Sequence, residues 1–397
     1  MSSICFCFEV HQPCRLRPYR FFDIGEKNDY EDAQHNHDIM RKVAEKCYLP
    51  MNALLLELIE RYQGHFRVSF SLTGIVIDQF KEYAPEVLDS FRALADTGCV
   101  EFLDETDNHS LAFLASEDEF RAQVARHREK IRELFGQTPK VFRNTELVYG
   151  NDVARIVYDM GYRAMLAEGA DNILDWRSPH FLYHAQGLPD MKLLLRSYSL
   201  SDDIAFRFSN REWSSYPLMA ETFASWLHNA GTSGDVINLF MDYETFGEHQ
   251  WADTGIFDFM RALPEYVLST PGCDFLTVSE AAERYEARAE LDVPGFISWA
   301  DRERDLSAWL GNDMQKDAFS ALYDSLGLVR YVNDPELNEV WRKLQTSDHF
   351  YYMGTAQDSD AEVHKYFSPY KSPFDAYTNF MNILADFRVR LSSRISQ

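Results

Sequence analysis

"VINLFMDYETFGEHQW", residues 236–251, sets a nearly unbroken apolar run against a cluster of acids. Val236 to Met241 reads as a strand covered on both faces, since a short apolar run without clean polar alternation has no solvent side. The run stops at Asp242, Glu244, Glu248 and His249, with Gly247 among them. Strands buried on both faces belong to parallel sheets flanked by helices, and such sheets carry their chemistry where strands end and loops begin.

Working outward, the same alternation recurs along the chain. "SICFCFEV" (3–10), "HFRVSFSL" (65–72), "GCVEFL" (98–103), "PKVFR" (139–143), "YRAMLAEG" (162–169) and "DFLTV" (274–278) read as strands. Helical stretches separate them, including "LPMNALLLELIERY" (49–62) and residues 116–135. In the latter, Ser116 with Glu119 has capping-box spacing, apolar residues recur at Phe120, Val124, Ile131 and Phe135, and Gly136 can end the helix. Thr277 and Glu280 repeat the box before "SEAAERYEARAE". About seven strand–helix units over about 280 residues predict a closed or nearly closed α/β barrel. Beyond "DVPGFISW" the strand signal fades, and "LSAWLGNDMQKDAFSALYDSLGLV", "DPELNEVWRKLQ" and "SPFDAYTNFMNILADFRVRL" read as helices. The expected division is a barrel over 1–290 and a helical region over 291–397 packed on it.

Composition narrows the function classes. A formal net charge of −24 over 397 residues disfavours phosphate backbones and anionic lipid, so neither nucleic acid nor membrane is an expected partner. An aromatic content of 14% suits a groove that stacks on flat, uncharged ligands. The six cysteines have no C-x-x-C pair, and Cys5 and Cys7 alternate with Phe6 and Phe8 as packing residues of a buried strand. With no basic leader and no apolar run of membrane-spanning length, a cytoplasmic location is expected.

The predicted strand ends collect polar residues: Glu9, His11 and Gln12; Asp104, Glu105, Asp107 and His109; Arg143, Asn144 and Glu146; Asp242 and Glu244. His11, His109 and His249 with Asp242 could ligate a metal, but no H-E-x-x-H, H-x-x-x-H or C-x-x-C element supports this, and neither metal nor cofactor is expected. Paired carboxylates are the sharper reading. Glycosidic bonds are cleaved between two Asp/Glu groups, one donating a proton and the other attacking or activating water. Glu146 and Asp242, far apart in sequence and each just past a strand, suit that chemistry.

"HQP" (11–13), "GCVEFLDETDNHS" (98–110), "VFRNTELVYG" (141–150), "MDYETFGEH" (241–249), "DLSAWLGNDMQ" (305–315) and "TSDHFYYM" (346–353) fall in the order of the conserved regions of glycoside hydrolase family 57. The chain resembles that family's shorter α-amylase-like members over nearly its whole length. The resemblance implies a (β/α)7 barrel followed by a helical region, and retaining action on α-glucans or maltooligosaccharides. It implies Glu146 as nucleophile and Asp242 as general acid/base. His11, at the cleavage subsite, and Gln12, His109 and Trp309 along the groove are the implied substrate contacts. Arg143, Glu244, Trp251 and Asp348 are further candidates for substrate binding. One position departs from the family's pattern: Arg143 stands where a Trp is usual before the nucleophile, so it either holds Glu146 ionised or pairs elsewhere. The alternatives are 4-α-glucanotransferase or branching activity, an α-glucan-binding protein with weak catalysis, and a metal-dependent hydrolase on the same barrel.

Overall fold

A computed structural model describes residues 2–355 and 368–395. Its strands are β1 (Ser2–Val10), β2 (Val68–Leu72), β3 (Val100–Phe102), β4 (Ala164–Glu168), β5 (Tyr183–Ala185), β6 (Leu188–Arg196), β7 (Val236–Asp242), β8 (Cys273–Phe275) and β9 (Glu290–Leu291). Parallel pairing runs from β3 through β2 to β1, then to β7 and β6, and from β6 to β4. Phe142 closes the remaining gap, bridging Asp104 just after β3 on one side and Met165 of β4 on the other. The parallel sheet is thus barrel-like. β8 pairs with the start of β1, and β5 lies antiparallel on β6 with β9 beside it.

Residue alternation decides what each face does. Ile4, Phe6 and Phe8 of β1 and Ile237, Leu239 and Met241 of β7 point into the layer of surrounding helices, with Leu55, Leu58, Phe91, Met260 and Leu263. Each such buried side chain contributes about 1.5–3 kcal/mol relative to an exposed one. The alternate residues Cys5, Cys7, Ala164, Leu166, Leu194, Val236 and Phe240 form a separate interior cluster. Parallel strands crowd their inward side chains, which explains small residues such as Cys5 and Cys7 there. The six cysteines are unbonded.

The stretch "PKVFR", expected as a strand, is reduced to the Phe142 bridges. The chain leaves the extended conformation almost at once: Glu146 and Leu147 take left-handed backbone at φ 57° and 51°. Other local expectations match. Ser116 Oγ accepts from the Glu119 amide, Gly136 ends that helix at φ 66°, and Thr277 with Glu280 forms a full capping box.

Helices Ser307–Leu310, Asp313–Asp324, Leu326–Val332, Pro335–Leu344, Ser347–Tyr351 and Pro373–Ile395 make up the described C-terminal part. Trp309, Trp341, Phe350, Phe380 and Leu391 share one core with Phe142, Met165 and Leu193 of the sheet. That shared core brings residues 347–352 over the strand ends. No helix among the described residues is long and apolar enough to cross a membrane.

Candidate active site

A cleft opens at the C-terminal ends of the parallel strands, where such barrels carry their functional groups. Glu9, His11 and Gln12 enter it from β1, His109 from beyond β3, Glu146 from beyond Phe142, Arg196 from β6, and Asp242 and Glu244 from β7. Trp299, Asp301 and Arg304 follow from the loop after β9, and Asp348 and Tyr352 from the helical part.

Glu146 is held by three donors. His109 Nε2 lies 3.0 Å and Ser347 Oγ 3.2 Å from its Oε1, and Trp299 Nε1 lies 2.8 Å from its Oε2. Burial alone would raise its pKa, but the hydrogen bond and charge of His109, with Arg143 behind, bring it down to about 2. His109 is in turn almost fully buried, which disfavours its cation, yet the carboxylates of Glu105, Glu146 and Glu9 raise its pKa to about 10. At neutral pH an imidazolium therefore faces an ionised Glu146. Both residues adopt left-handed backbone, at φ 50° for His109 and 57° for Glu146, an arrangement that a non-glycine residue keeps only when its surroundings enforce it.

Arg143, the departure from the family pattern, is fully buried beneath this pair. It donates to Glu9, lies 3.6 Å from Glu105, and sits over the Phe240 and Trp299 rings. It bonds Glu9 rather than Glu146, and it is not part of the cleft wall. Burial pushes the Glu9 carboxyl up, opposed by Arg143 and His109.

His11 stacks on His109 with ring centres 3.9 Å apart. Its Nδ1 meets Thr73 Oγ1 at 3.0 Å and its Nε2 meets Asp348 at 2.9 Å. Burial and the neighbouring His109 charge lower the pKa of His11. Asp348 is driven well below the usual carboxylate range: His11 and His109 outweigh its burial.

Asp242 lines the same cleft as Glu146. Glu244, in the turn that follows, is buried, and burial with the charge of Asp242 raises its pKa to about 8, so it carries a proton at neutral pH. Tyr48 donates to its Oε1, and Gln12 Nε2 lies 3.5 Å from the same atom. Tyr48 arrives through a π-turn, Ala44–Tyr48, just ahead of Pro50 in a helix that otherwise runs Ala33–Val43 and Leu49–Arg61. Proline has no N–H to give and crowds the carbonyl four residues back, here that of Lys46, so the wider turn relieves it. The loop after β7 then packs against that carbonyl. A Cβ on Gly247 would stand 1.9 Å from Lys46 O, which accounts for the glycine.

The other sequence candidates are placed away from the cleft or at its margin. Trp309 is 1% exposed within the second core, and Trp251 is 57% exposed with Lys46 Nζ over its ring. Neither lines the cleft. His249 does, and burial lowers its pKa to about 4. Glu248 is tied up with Lys42 and Lys46. The metal grouping suggested by sequence does not form as such: the carboxylate that gathers with His11 and His109 is Asp348, and neither His249 nor Asp242 joins them. Trp299 and Ser347, both bonded to Glu146, are not among the sequence candidates: Trp299 stands in no motif, and Ser347 lies in "TSDHFYYM" beside the candidate Asp348.

The family model described as glycosyl hydrolase family 57 matches residues 5–294. A Methanocaldococcus jannaschii protein provisionally named an alpha-amylase is 46% identical over 411 residues, covering 99% of this chain and 86% of that protein. Among solved structures, a 4-alpha-glucanotransferase from Thermococcus litoralis aligns at TM-score 0.66 and 16% identity over 88% of this chain, which spans only 56% of that enzyme. A branching enzyme from Thermococcus kodakaraensis aligns at 0.66 and 15% over 91% and 87% of the two chains. The alpha-amylase AmyC from Thermotoga maritima aligns at 0.64 and 13% over 99% and 94%. At such identities the solved structures speak for the fold alone. The family match and the close relative reach further, and on them the chain belongs to glycosyl hydrolase family 57, a family of glycoside hydrolases.

Proposed function

We propose that the protein is a retaining α-glucan hydrolase of the α-amylase type, acting on α-1,4 bonds with Glu146 as nucleophile and Asp242 as general acid/base. The observation that carries this reading is Glu146 itself: a carboxylate kept ionised by His109 in a cleft it shares with Asp242. An ionised Glu146 attacks the anomeric carbon while Asp242, carrying a proton, delivers it to the departing glycosidic oxygen. A covalent glycosyl-enzyme results. Asp242, now deprotonated, takes a proton from water as that water attacks the anomeric carbon, which releases Glu146 and restores the starting states. Glu244, buried and bonded to Tyr48, is suited to hydrogen-bond a sugar hydroxyl beside Asp242.

A polymeric substrate fits the surface. Asp301 and Tyr352 line both the cleft and a second pocket, which continues along Ser307, Asn312, Gln315, Tyr351 and Tyr370. This reading counts the strand ring as a (β/α)7 barrel, divides the chain near residue 290, and assigns the enzyme to the reducing cytoplasm, where unpaired cysteines persist.

The test is an assay of soluble starch, glycogen and maltooligosaccharides with the wild type and Glu146→Gln, following the anomer of the first product by proton NMR. Turnover with an α-anomer product, lost by about 10³-fold or more in the variant, is expected. No turnover by the wild type, an undiminished variant, or a β-anomer product contradicts the proposal. Oligosaccharides longer than the substrate would move the assignment to glucan transfer.

A further inference from the structure

The mechanism above uses His109 as a donor to Glu146 and leaves the stacked pair of imidazoles otherwise unexplained. One ring nitrogen each of His11 and His109 and a carboxylate oxygen of Asp348 lie within 4.8 Å of one another. We propose that these three residues form a binding site for a single zinc ion, set against the nucleophile.

The donor set is two imidazole nitrogens and one carboxylate oxygen, which suits zinc rather than calcium or magnesium, whose sites are built from oxygen. A tetrahedral zinc site holds its ligand atoms about 3.3–3.5 Å apart. His11 Nε2 and the Asp348 oxygen, now 2.9 Å apart, need to open by about 0.5 Å around the ion, while the more distant atoms close by about 1 Å. The fourth position is left to Glu146 or water.

The supporting groups are those of a ligating histidine pair. A metal-bound imidazole commonly gives its other N–H to a carboxylate, carbonyl or hydroxyl that fixes the ring. Nδ1 of His109 faces Glu9 and Glu105, each at 3.6 Å, and Nδ1 of His11 meets the Thr73 hydroxyl at 3.0 Å. A hydroxyl can accept as well as donate, so His11 can carry its proton on Nδ1 and offer the lone pair of Nε2 to the ion, in place of the N–H it directs at Asp348. The ion-pair partners of the two rings are all carboxylates: Asp348 for His11, and Glu9, Glu105 and Glu146 for His109.

Binding at His109 Nε2, the atom that bonds Glu146, replaces the proton on that nitrogen, which leaves to solvent. A loaded site takes from Glu146 its donor and draws its carboxylate towards the metal, so zinc acts as an inhibitor competing with glucan. This consequence rests on the hydrolase reading; the binding itself does not.

The experiment is calorimetric titration of the full chain, dialysed against chelator, with zinc chloride, and with calcium and magnesium chlorides in parallel. One zinc per chain is expected, with no saturable heat from the other two ions, and Asp348→Asn weakens zinc by about 10- to 100-fold. Because the variant can fail for want of folding, a zinc-soaked crystal of the wild type supplies a second readout at the zinc absorption edge. An anomalous peak between His11, His109 and Asp348 supports the site. No saturable zinc binding, equal binding by a folded Asp348→Asn variant, or peaks only elsewhere overturns it. Neither readout needs turnover, so a chain that hydrolyses no glucan leaves the result standing.

Discussion

His109 and Glu146 face each other across 3.0 Å, and both hold left-handed backbone to do so. The loops beyond β3 and beyond Phe142 are each bent against their own preference to bring one cation to one carboxylate. Residues in such conformations cost of order 1–3 kcal/mol each, so the pairing is enforced by the fold around it.

Removing that cation should impair chemistry more than binding. His109→Gln is expected to lower kcat on maltooligosaccharides by about 10²–10³-fold, the usual effect of losing a preorganised donor, with KM changed far less. Steady-state kinetics on a chain of unchanged circular dichroism checks this. A variant whose loss lies entirely in KM would assign His109 to substrate binding instead.

Asp242 can be tested through the leaving group. If it protonates the departing oxygen, Asp242→Ala should lose about 10²–10⁴-fold on maltooligosaccharides but much less in the bond-breaking step on an α-glycoside with an acidic phenol as leaving group, which departs without a proton. Single-turnover rates on the two substrates measure the difference. Equal losses on both would remove Asp242 from the acid role.

A second buried imidazole makes stability depend on pH. His127 is fully buried, with Nδ1 2.7 Å from Asp104 and Nε2 2.7 Å from the Leu72 carbonyl oxygen. Burial opposes its charge, but Asp104 outweighs burial and raises its pKa to about 9, above the ordinary value near 6.5. The folded form thus binds this proton more tightly than the unfolded form. Its contribution, about 3 kcal/mol at most, is complete below about pH 6.5 and is lost as pH rises through 9. Denaturant unfolding between pH 6 and 10 should show that fall in the wild type and a flatter profile in His127→Gln.

Gly247→Ala should destabilise the fold by about 2–4 kcal/mol, since it adds a Cβ where the Lys46 carbonyl already stands and does so at φ 113°. Gly255, at φ 85° with nothing within 4 Å of its Cβ position, supplies the control, for which an Ala substitution should cost about 1 kcal/mol. Thermal unfolding of the two variants separates steric contact from backbone strain.

Much of the site was legible because strand ends are legible. Glu146 and Asp242 stand where an apolar run gives way to acids, and "FEVHQP" announces His11 in the same way. Arg143 could be noticed but not interpreted: whether it served Glu146 or another group depended on Glu9 and Glu105, contributed by other strand ends. Trp299 and Ser347 follow no strand, and their value lies in one hydrogen bond each. Trp309 misleads for the opposite reason. It sits in a motif of the family, yet its ring fills the core beneath the helical part. Sequence spacing reports which residues share a face; it does not report which of two crowded layers a face belongs to.

The strap of residues 346–352 gives the barrel's site a dependence on a part of the chain that encodes neither Glu146 nor Asp242. Ser347 steadies Glu146 and Asp348 steadies His11, and both lie beyond residue 294, where the family match ends. Descendants of such a chain can retune the surroundings of Glu146 by altering the strap while Glu146 and Asp242 stay untouched. Divergence in the behaviour of this glycoside hydrolase is therefore open to selection in the helices before it is open in the barrel.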